Sequence, residues 1–173
     1  VLFSLLCSAF FSGMEIAFIS SNKLKIELDN NKGEIGAKIL SYFSDKPAWF
    51  IATMLVGNNI ALVIYTLYMA VLLDPYLIAA GLGSSSILLL QTIFSTIFIL
   101  IFAEFLPKAI FRLNPNFILK LFSAILLVFY ILLWPITALV VYLTRVILRF
   151  FGKEDGSDEK VSFKKTDLDQ YLE

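Results

Sequence analysis

Two carboxylates lie within runs of apolar residues, where an ionised side chain is costly. Glu15 follows the sequence Phe-Phe-Ser-Gly-Met, and Glu104 follows an uncharged stretch that begins at Tyr76. An acidic group in such surroundings needs a partner that offsets its desolvation, and in membrane proteins it marks a functional site by default. A structural ion pair is the alternative. The polar residues near each carboxylate indicate what it would bind.

Four polar residues fall on one face of the first predicted helix. Ser4, Ser8 and Ser12 are four residues apart and Glu15 follows three residues later, so they form one stripe on a helix made otherwise of apolar residues. We expect the Ser4 hydroxyl to bond its own backbone, as helical serines commonly do. Ser8 and Ser12 are candidate cation ligands, because Gly13 beside them allows close approach of another backbone and frees carbonyl oxygens.

A second predicted helix carries two adjacent amides near its middle, in the sequence Gly57-Asn58-Asn59. A buried amide without a partner is unfavourable at that depth. Successive residues point about 100° apart on a helix, so one amide is predicted to face a site while the other stabilises the fold. We assign Asn58 to the site and Asn59 to the support of its pocket.

The third predicted helix carries its carboxylate beside a proline, in Glu104-Phe-Leu-Pro107-Lys108. Pro107 has no N–H and its ring crowds the carbonyl of Ala103, so the helix is predicted to kink or end there and to leave a backbone oxygen available. Alternatively, Glu104 pairs with Lys108 one turn later, which is the favourable order for such a pair.

All of these candidate ligands are oxygen atoms. The chain contains no histidine and one cysteine, Cys7, which excludes a disulfide framework within it and argues against a zinc site. Carboxylate, amide, hydroxyl and carbonyl oxygens suit hard cations, so Mg²⁺, Ca²⁺ or Na⁺ is predicted before any transition metal. Spacing alone does not choose among these three ions.

The composition indicates which fold positions these residues. Of the 173 residues, 59% are hydrophobic and 16% are charged, and the formal net charge is zero. This apolar content exceeds what a soluble core of that size buries, so much of the surface is expected to face membrane lipid. The neutral balance gives no indication of a nucleic-acid partner. We therefore predict an all-α membrane protein.

Charged residues divide the chain into its predicted elements. Three transmembrane helices are predicted, with a turn at Asp74-Pro75 between the second and third. Two short amphipathic juxtamembrane helices, separated at Asn30-Asn31-Lys32-Gly33, lie between the first and second spans. The transmembrane domain is predicted at 1–152, with spans at 1–21, 48–73 and 77–103, the juxtamembrane region at 22–46, a fourth hydrophobic element at 117–150, and the start of a connector at 153–173.

The positions of lysine and arginine predict the orientation in the membrane. The juxtamembrane region is rich in lysine whereas the Asp74-Pro75 turn has no basic residue, so the N-terminus is predicted outside and the juxtamembrane region in the cytoplasm. Both flanks of the fourth element are basic. We favour a break at Trp134-Pro135 that returns both of its ends to the cytoplasm, with a cytoplasmic C-terminus. A single tilted helix, kinked by the proline, is the alternative.

Three signatures in this chain resemble those of the transmembrane domain of CNNM/CorC magnesium transporters, in the same order and over essentially its whole length. They are Ser8-Ala-Phe-Phe-Ser-Gly-Met-Glu-Ile-Ala, Val56-Gly-Asn58 and Ala103-Glu-Phe-Leu-Pro-Lys108. The resemblance implies a homodimer in the bacterial inner membrane that exports Mg²⁺, with Na⁺ as a coupling ion. It also implies cytoplasmic CBS domains beyond the connector. A haemolysin-like or gliding-motility-related branch of the family fits the same signatures.

The resemblance also implies a ligand set and shows two departures from the family. Met14 stands where the family usually has a small residue and Ala103 where it has a glycine, so a pocket of different shape is expected. The glutamate in the first signature is implied to be a ligand or to hold the pocket. The implied Mg²⁺ ligands are Ser8, Ser12, the Gly13 carbonyl, Asn58 and Glu104, with Glu15, Asn59 and Pro107 as pocket support.

Two other classes of function compete with transport. An intramembrane protease needs paired acids, a serine with a histidine or lysine, or a zinc-binding helix, and without histidine only the first and the serine–lysine pair remain. We expect no enzymatic activity. The stronger alternative is a non-transporting anchor or scaffold, which binds a regulatory ion and holds cytoplasmic regulatory domains or a secretion or gliding machine in the membrane.

Overall fold

The computed structural model describes residues 1–150, and the predicted connector at 153–173 lies outside this part of the chain. The described residues form helices joined by short connections, without strands, as predicted for an all-α membrane protein. In chain order they are α1 (Leu2–Ser20), α2 (Lys23–Asn31), α3 (Ile35–Asp45), α4 (Pro47–Ala79), α5 (Ser84–Phe98), a π-helix (Ile99–Phe105), α6 (Leu106–Leu113), α7 (Pro115–Leu121) and α8 (Ser123–Phe150).

Four of the described helices are long and apolar enough to cross a membrane. They are α1, α4, the continuous helix formed by α5, the π-helix and α6, and finally α8. The first is the most enclosed: 44% of the apolar window of α1 is buried, against 11% for the helix over Ser84–Leu113. Because α1 packs against α4, α6, α7 and the π-helix, it lies at the centre of the bundle.

An aromatic cluster joins α1, α3, α4 and α8. The rings of Phe18 and Phe50 lie 4.2 Å apart between centroids, and Phe43 lies 5.0 Å from Phe50 and 5.1 Å from Tyr130. Phe18, Phe43 and Phe50 are almost fully buried. Burial of such large rings gives the bundle much of its packing energy, and it fixes α3 against α4 and α8.

The juxtamembrane region has the two short helices that the sequence predicts. The Asn22 side chain caps α2 by accepting a bond of 3.2 Å from the Lys25 N–H. Gly33 follows α2 at φ +82°, a conformation that glycine adopts without strain, and α3 then begins. The predicted division at Asn30-Asn31-Lys32-Gly33 is thereby confirmed.

The predicted turn at Asp74-Pro75 is wrong. Both residues lie inside α4, which continues to Ala79, and the turn to α5 contains Gly81 at φ +73°. A proline in a helix removes one backbone hydrogen bond but does not by itself end the helix. The helix is therefore continuous on both sides of Pro75.

The favoured break in the fourth hydrophobic element is also wrong. α8 is one continuous helix from Ser123 to Phe150 with Pro135 inside it, so the alternative of a single helix is confirmed. Transmembrane helices tolerate proline because neighbouring groups satisfy the freed carbonyl. The predicted element began at residue 117, but the chain up to Leu121 belongs to the separate helix α7.

Candidate functional site

Two of the predicted ligands meet where α1 packs against α4. The Ser8 hydroxyl donates a hydrogen bond of 2.6 Å to Oδ1 of Asn58. Ser8 is fully buried and Asn58 is 8% exposed. Of the two adjacent amides, Asn58 is buried and Asn59 is exposed, and the Ser8–Asn58 pair places one hydroxyl and one amide oxygen side by side inside the bundle.

Ser12 lies one turn along the same face of α1 and has an unsatisfied hydroxyl. Its side chain is fully buried, and its Oγ has no hydrogen-bond partner among the described residues. Ser4 differs, because its hydroxyl donates to the Val1 carbonyl at 2.8 Å, which confirms the prediction for that residue. A buried hydroxyl without a partner costs about 1–3 kcal/mol. Four other buried polar atoms in the described residues also lack a partner, so what distinguishes Ser12 is its place one turn from the Ser8–Asn58 pair.

Two glycines allow the helices around these serines to approach closely. A Cβ atom on Gly13 would lie 2.7 Å from the ring of Phe111 in α6, and one on Gly57 would lie 2.6 Å from the ring of Phe11. Both distances are too short for a real side chain, so only glycine permits this packing. The glycines were visible in the sequence, but nothing there indicated Phe111 as the residue that packs on Gly13.

Glu104 lies in the π-helix, where the backbone is wider than in an α-helix. The Leu106 N–H donates to the Ile101 carbonyl, five residues earlier, and the buried Pro107 then begins the return to α-helical geometry in α6. The predicted kink or end beside the carboxylate is thus a local change of helix type within a continuous helix. Such π segments are frequent at functional sites.

Neither carboxylate has a partner in the described part of the chain. Glu15 and Glu104 are partly buried, and neither forms a hydrogen bond or ion pair with another described residue. The alternative in which Glu104 pairs with Lys108 is therefore not what the structure shows. The π-helix, which contains Glu104, packs directly on α1, the helix that contains Ser8 and Ser12.

The coordination chemistry open to this region is limited to oxygen atoms. In residues 1–150, no three or more side chains of His, Cys, Asp or Glu are grouped to hold a metal, so hydroxyl, amide and carbonyl oxygens would complete any shell. Asn59 is exposed, whereas Met14 and Ala103, the two departures from the family pattern, are fully buried.

A cluster of four charged side chains lies at the juxtamembrane helices, and each of them forms an ion pair with another member. We call it the clasp: Lys120 of α7 contacts Asp29 of α2 at 3.1 Å and also contacts Glu34, and Lys32 lies 3.6 Å from Asp29. The hydrogen bond from Lys120 lowers the pKa of the Asp29 carboxyl. In turn, the bonds to Glu34 and Asp29 raise the pKa of the Lys120 ammonium.

Comparison with known proteins places this arrangement in a family. The family model described as the cyclin M transmembrane N-terminal domain, CNNM, matches residues 1–173. The chain belongs to the CNNM family. The resemblance seen in the three signatures is thereby confirmed, and this CNNM domain is an integral membrane protein of a family associated with divalent cation transport.

Curated relatives of this CNNM domain are bacterial. The UPF0053 protein MG146 homolog of Mycoplasma pneumoniae is 29% identical over 136 residues, which cover 76% of this chain and 31% of the relative. The UPF0053 inner membrane protein YfjD of Escherichia coli is 27% identical over 161 residues, which cover 93% of this chain and 36% of the relative. The chain thus spans about a third of the length of the relatives it matches.

Proposed function

We propose that this CNNM domain moves Mg²⁺ across the membrane through a site formed by Ser8, Ser12, the Gly13 carbonyl, Asn58 and Glu104. The observation that carries the proposal is the buried Ser8–Asn58 hydrogen bond beside the unsatisfied Ser12 hydroxyl. These three side chains come from two helices and present oxygen atoms in the interior of a membrane protein. Oxygen ligands of this kind are those that Mg²⁺ takes in proteins.

The charge of the two unpaired carboxylates supports a divalent cargo. Glu15 and Glu104 together carry two negative charges without a cationic partner in the described residues. A divalent cation would neutralise both charges, whereas Na⁺ would leave one of them uncompensated in a medium of low dielectric constant. The charge balance favours a divalent cargo over Na⁺. The choice of Mg²⁺, its export and the role of Na⁺ as a coupling ion come from the family resemblance and are part of the proposal.

The backbone around the site suits a change of access. Gly13 and Gly57 are points where neighbouring helices approach closely, and the π-helix interrupts the regular hydrogen bonding of its helix. Transporters move their helices around a site fixed near the middle of the bilayer. We infer that rearrangement at these points opens the Ser8–Asn58 region to one side of the membrane at a time.

The proposed assembly is a homodimer in the bacterial inner membrane, with lipid around it and CBS domains on its cytoplasmic side. The lysine-rich helices α2 and α3 face the cytoplasm and the N-terminus lies outside. Three crossings, by α1, α4 and the helix over Ser84–Leu113, then return the chain to the cytoplasm at α7. A cytoplasmic C-terminus requires that α8 pack against the bundle without emerging on the far side.

Flux measurements on the full-length protein in proteoliposomes test this proposal. With a Mg²⁺-sensitive dye inside the vesicles, Glu104→Gln and Asn58→Ala are expected to lower the initial rate of Mg²⁺ flux by about 100-fold, since changes even outside a metal's first shell cost 10–100-fold. Imposing and then abolishing a Na⁺ gradient tests the coupling ion. Ser4→Ala is the matched control, because that serine lies on the same stripe but bonds its own backbone.

The same experiment separates transport from the anchor or scaffold function. Folded wild-type protein that shows no Mg²⁺ flux in either direction, but a higher melting temperature with Mg²⁺, would make the ion a regulatory ligand and not cargo. Equal flux from wild type and Glu104→Gln would remove that carboxylate from the mechanism. Loss of flux in Ser4→Ala to the same extent as in Asn58→Ala would indicate damage to α1 and not loss of a ligand.

A further inference from the structure

Asn59 is a polar side chain on the outer surface of the membrane-spanning bundle, where the described residues of a single protomer offer it no hydrogen-bond partner. It follows Asn58 directly, but it is exposed and forms no hydrogen bond with another described residue. Its depth follows from its place in α4 (Pro47–Ala79): at a rise of about 1.5 Å per residue it lies about 18 Å from the first residue of that helix, which is about the middle of the bilayer core. An exposed amide at that level would face the hydrocarbon of the bilayer, which offers no hydrogen bond.

The other exposed side chains near Asn59 on α4 are either apolar or already hydrogen-bonded. On the same face of α4, Leu55 is 46% exposed and Val63 is 60% exposed, and both suit lipid or another apolar helix. Thr66 is also exposed, but its hydroxyl donates to the Leu62 carbonyl at 2.9 Å. Asn59 is therefore the group on this face that needs a partner from outside the protomer.

We propose that Asn59 pairs with Asn59 of a second copy of this chain, across a two-fold axis that runs along the membrane normal. Copies inserted in the same orientation present each residue at the same depth as its equivalent. An amide carries both donors and an acceptor, so it is complementary to itself, and a two-fold interface brings a patch onto the same patch of the partner. Polar side chains are common contacts between helices in membranes.

This pairing rests on the homodimer in the proposed function, and it adds the residue at the centre of the interface. It does not rest on ion transport. The two amides then have different roles: Asn58 contacts α1 within the protomer, and Asn59 contacts the partner. A helix that contributes to the ion site on one face thus contributes to the dimer on the other.

Cysteine cross-linking of the full-length protein in membranes tests the pairing, in a background where the introduced cysteine is the sole one and Cys7 is changed to serine. Asn59→Cys and Val63→Cys are expected to give disulfide-linked dimers on mild oxidation. Ile64→Cys is the matched control: it is 42% exposed, but it lies five residues from Asn59 and so about 140° around the helix. It is expected to remain monomeric on a denaturing gel.

Native mass determination of the uncrosslinked protein distinguishes failure of the pairing from failure of the dimer. A dimer by mass in which Asn59→Cys does not cross-link, or cross-links no faster than Ile64→Cys, would overturn the pairing and leave the dimer standing. A monomer at every concentration would overturn both. Asn59→Leu is expected to raise the dimer dissociation constant by about three- to tenfold, and Asn59→Gln by less, because it keeps the amide.

Discussion

The membrane-spanning bundle and the juxtamembrane clasp each contain a pair of carboxylates, Glu15 and Glu104 in the bundle and Asp29 and Glu34 in the clasp, but only the clasp supplies their counter-charge. Lys120 contacts both Asp29 and Glu34, so the acidic groups of the clasp are paired within the protomer. In the bundle, Glu15 and Glu104 have no such partner in the described residues, although charge is more costly there than at the membrane surface. The charges of the clasp are therefore balanced within the protomer, whereas those of the two carboxylates in the bundle are not balanced by the described residues.

The hydroxyl groups show the same difference. Thr92 on the exposed α5 donates to the Leu88 carbonyl at 2.7 Å, and Ser4 bonds its own backbone in the same way. Ser8 instead bonds Asn58 on another helix, and Ser12 has no partner. All four side chains carry a hydroxyl group, so what separates a ligand candidate from a helix residue is whether that hydroxyl already bonds the backbone of its own helix.

The largest effect that tests this comparison is the stabilisation of the protein by Mg²⁺. A ligand that binds only the folded state adds about 2.7 kcal/mol to the free energy of unfolding at a concentration of 100 times Kd. Ser12→Ala is expected to keep the stability of the metal-free protein, because it removes a buried hydroxyl that has no partner, and to lose most of the gain from Mg²⁺. Melting temperatures over a Mg²⁺ titration measure both quantities.

Two variants sharpen this test of the site. Ser4→Ala is expected to retain the full stabilisation by Mg²⁺, since its hydroxyl is used by its own helix. Lys120→Met is expected to retain it as well, because it disrupts only the clasp. If Lys120→Met abolished the Mg²⁺ effect and Ser12→Ala did not, the ion would bind at the juxtamembrane helices and the comparison would be reversed.

A smaller effect is expected when the close helix contacts beside the site are disturbed. In Gly57→Ala the new methyl group would lie 2.6 Å from the ring of Phe11, and overpacking of this kind costs about 1–3 kcal/mol. Gly83→Ala is the control for steric contact, because Gly83 has no atom within 4 Å of the added Cβ and has φ −71°. Gly83 is the N-cap of α5, so a loss of up to about 1 kcal/mol is expected there from the weaker cap. Chemical denaturation in detergent compares them, and equal stability of the two variants would show that α1 and α4 have room to separate.

Much of this architecture followed from the sequence, and the parts that did not have definite causes. Apolar runs and lysine clusters predicted the spans and the two juxtamembrane helices, because burial in lipid leaves a strong signal. Pro75 and Pro135 were misjudged as a turn and a break, since the cost of a proline in a helix depends on what else satisfies the freed carbonyl. Helices α4 and α8 both continue through them.

The sequence pointed to one contact of the candidate site, and the other contacts came only from the structure. The stripe of serines and the adjacent amides drew attention to Ser8 and Asn58, and helical geometry predicted that the two neighbouring amides point in different directions. The π-helix around Glu104 depends on how Ile99–Phe105 packs on α1, which no local pattern encodes. The same holds for the packing of Phe111 on Gly13, because two residues far apart in sequence meet only through the fold.

The smallest predicted effect concerns the clasp and its dependence on pH. The pKa of Asp29 is lowered from 3.8 by Lys120, so the stabilisation from that contact is present above pH 3.8 and is lost as pH falls through the lowered value. The pKa of Lys120 is raised from 10.5 by Glu34 and Asp29. Its contribution is therefore complete below pH 10.5 and is lost as pH rises through the raised value.

Hydrogen exchange of the α2 and α3 amides measures this contribution without unfolding the bundle. Lys120→Met is expected to exchange faster than wild type between about pH 4 and 10, and high salt should reduce the difference, because exposed ion pairs are screened. Lys38→Met is the control, since Lys38 is exposed and forms no ion pair with another described residue. Equal exchange in both variants would mean that aromatic packing around Phe43, and not the clasp, holds these helices to the bundle.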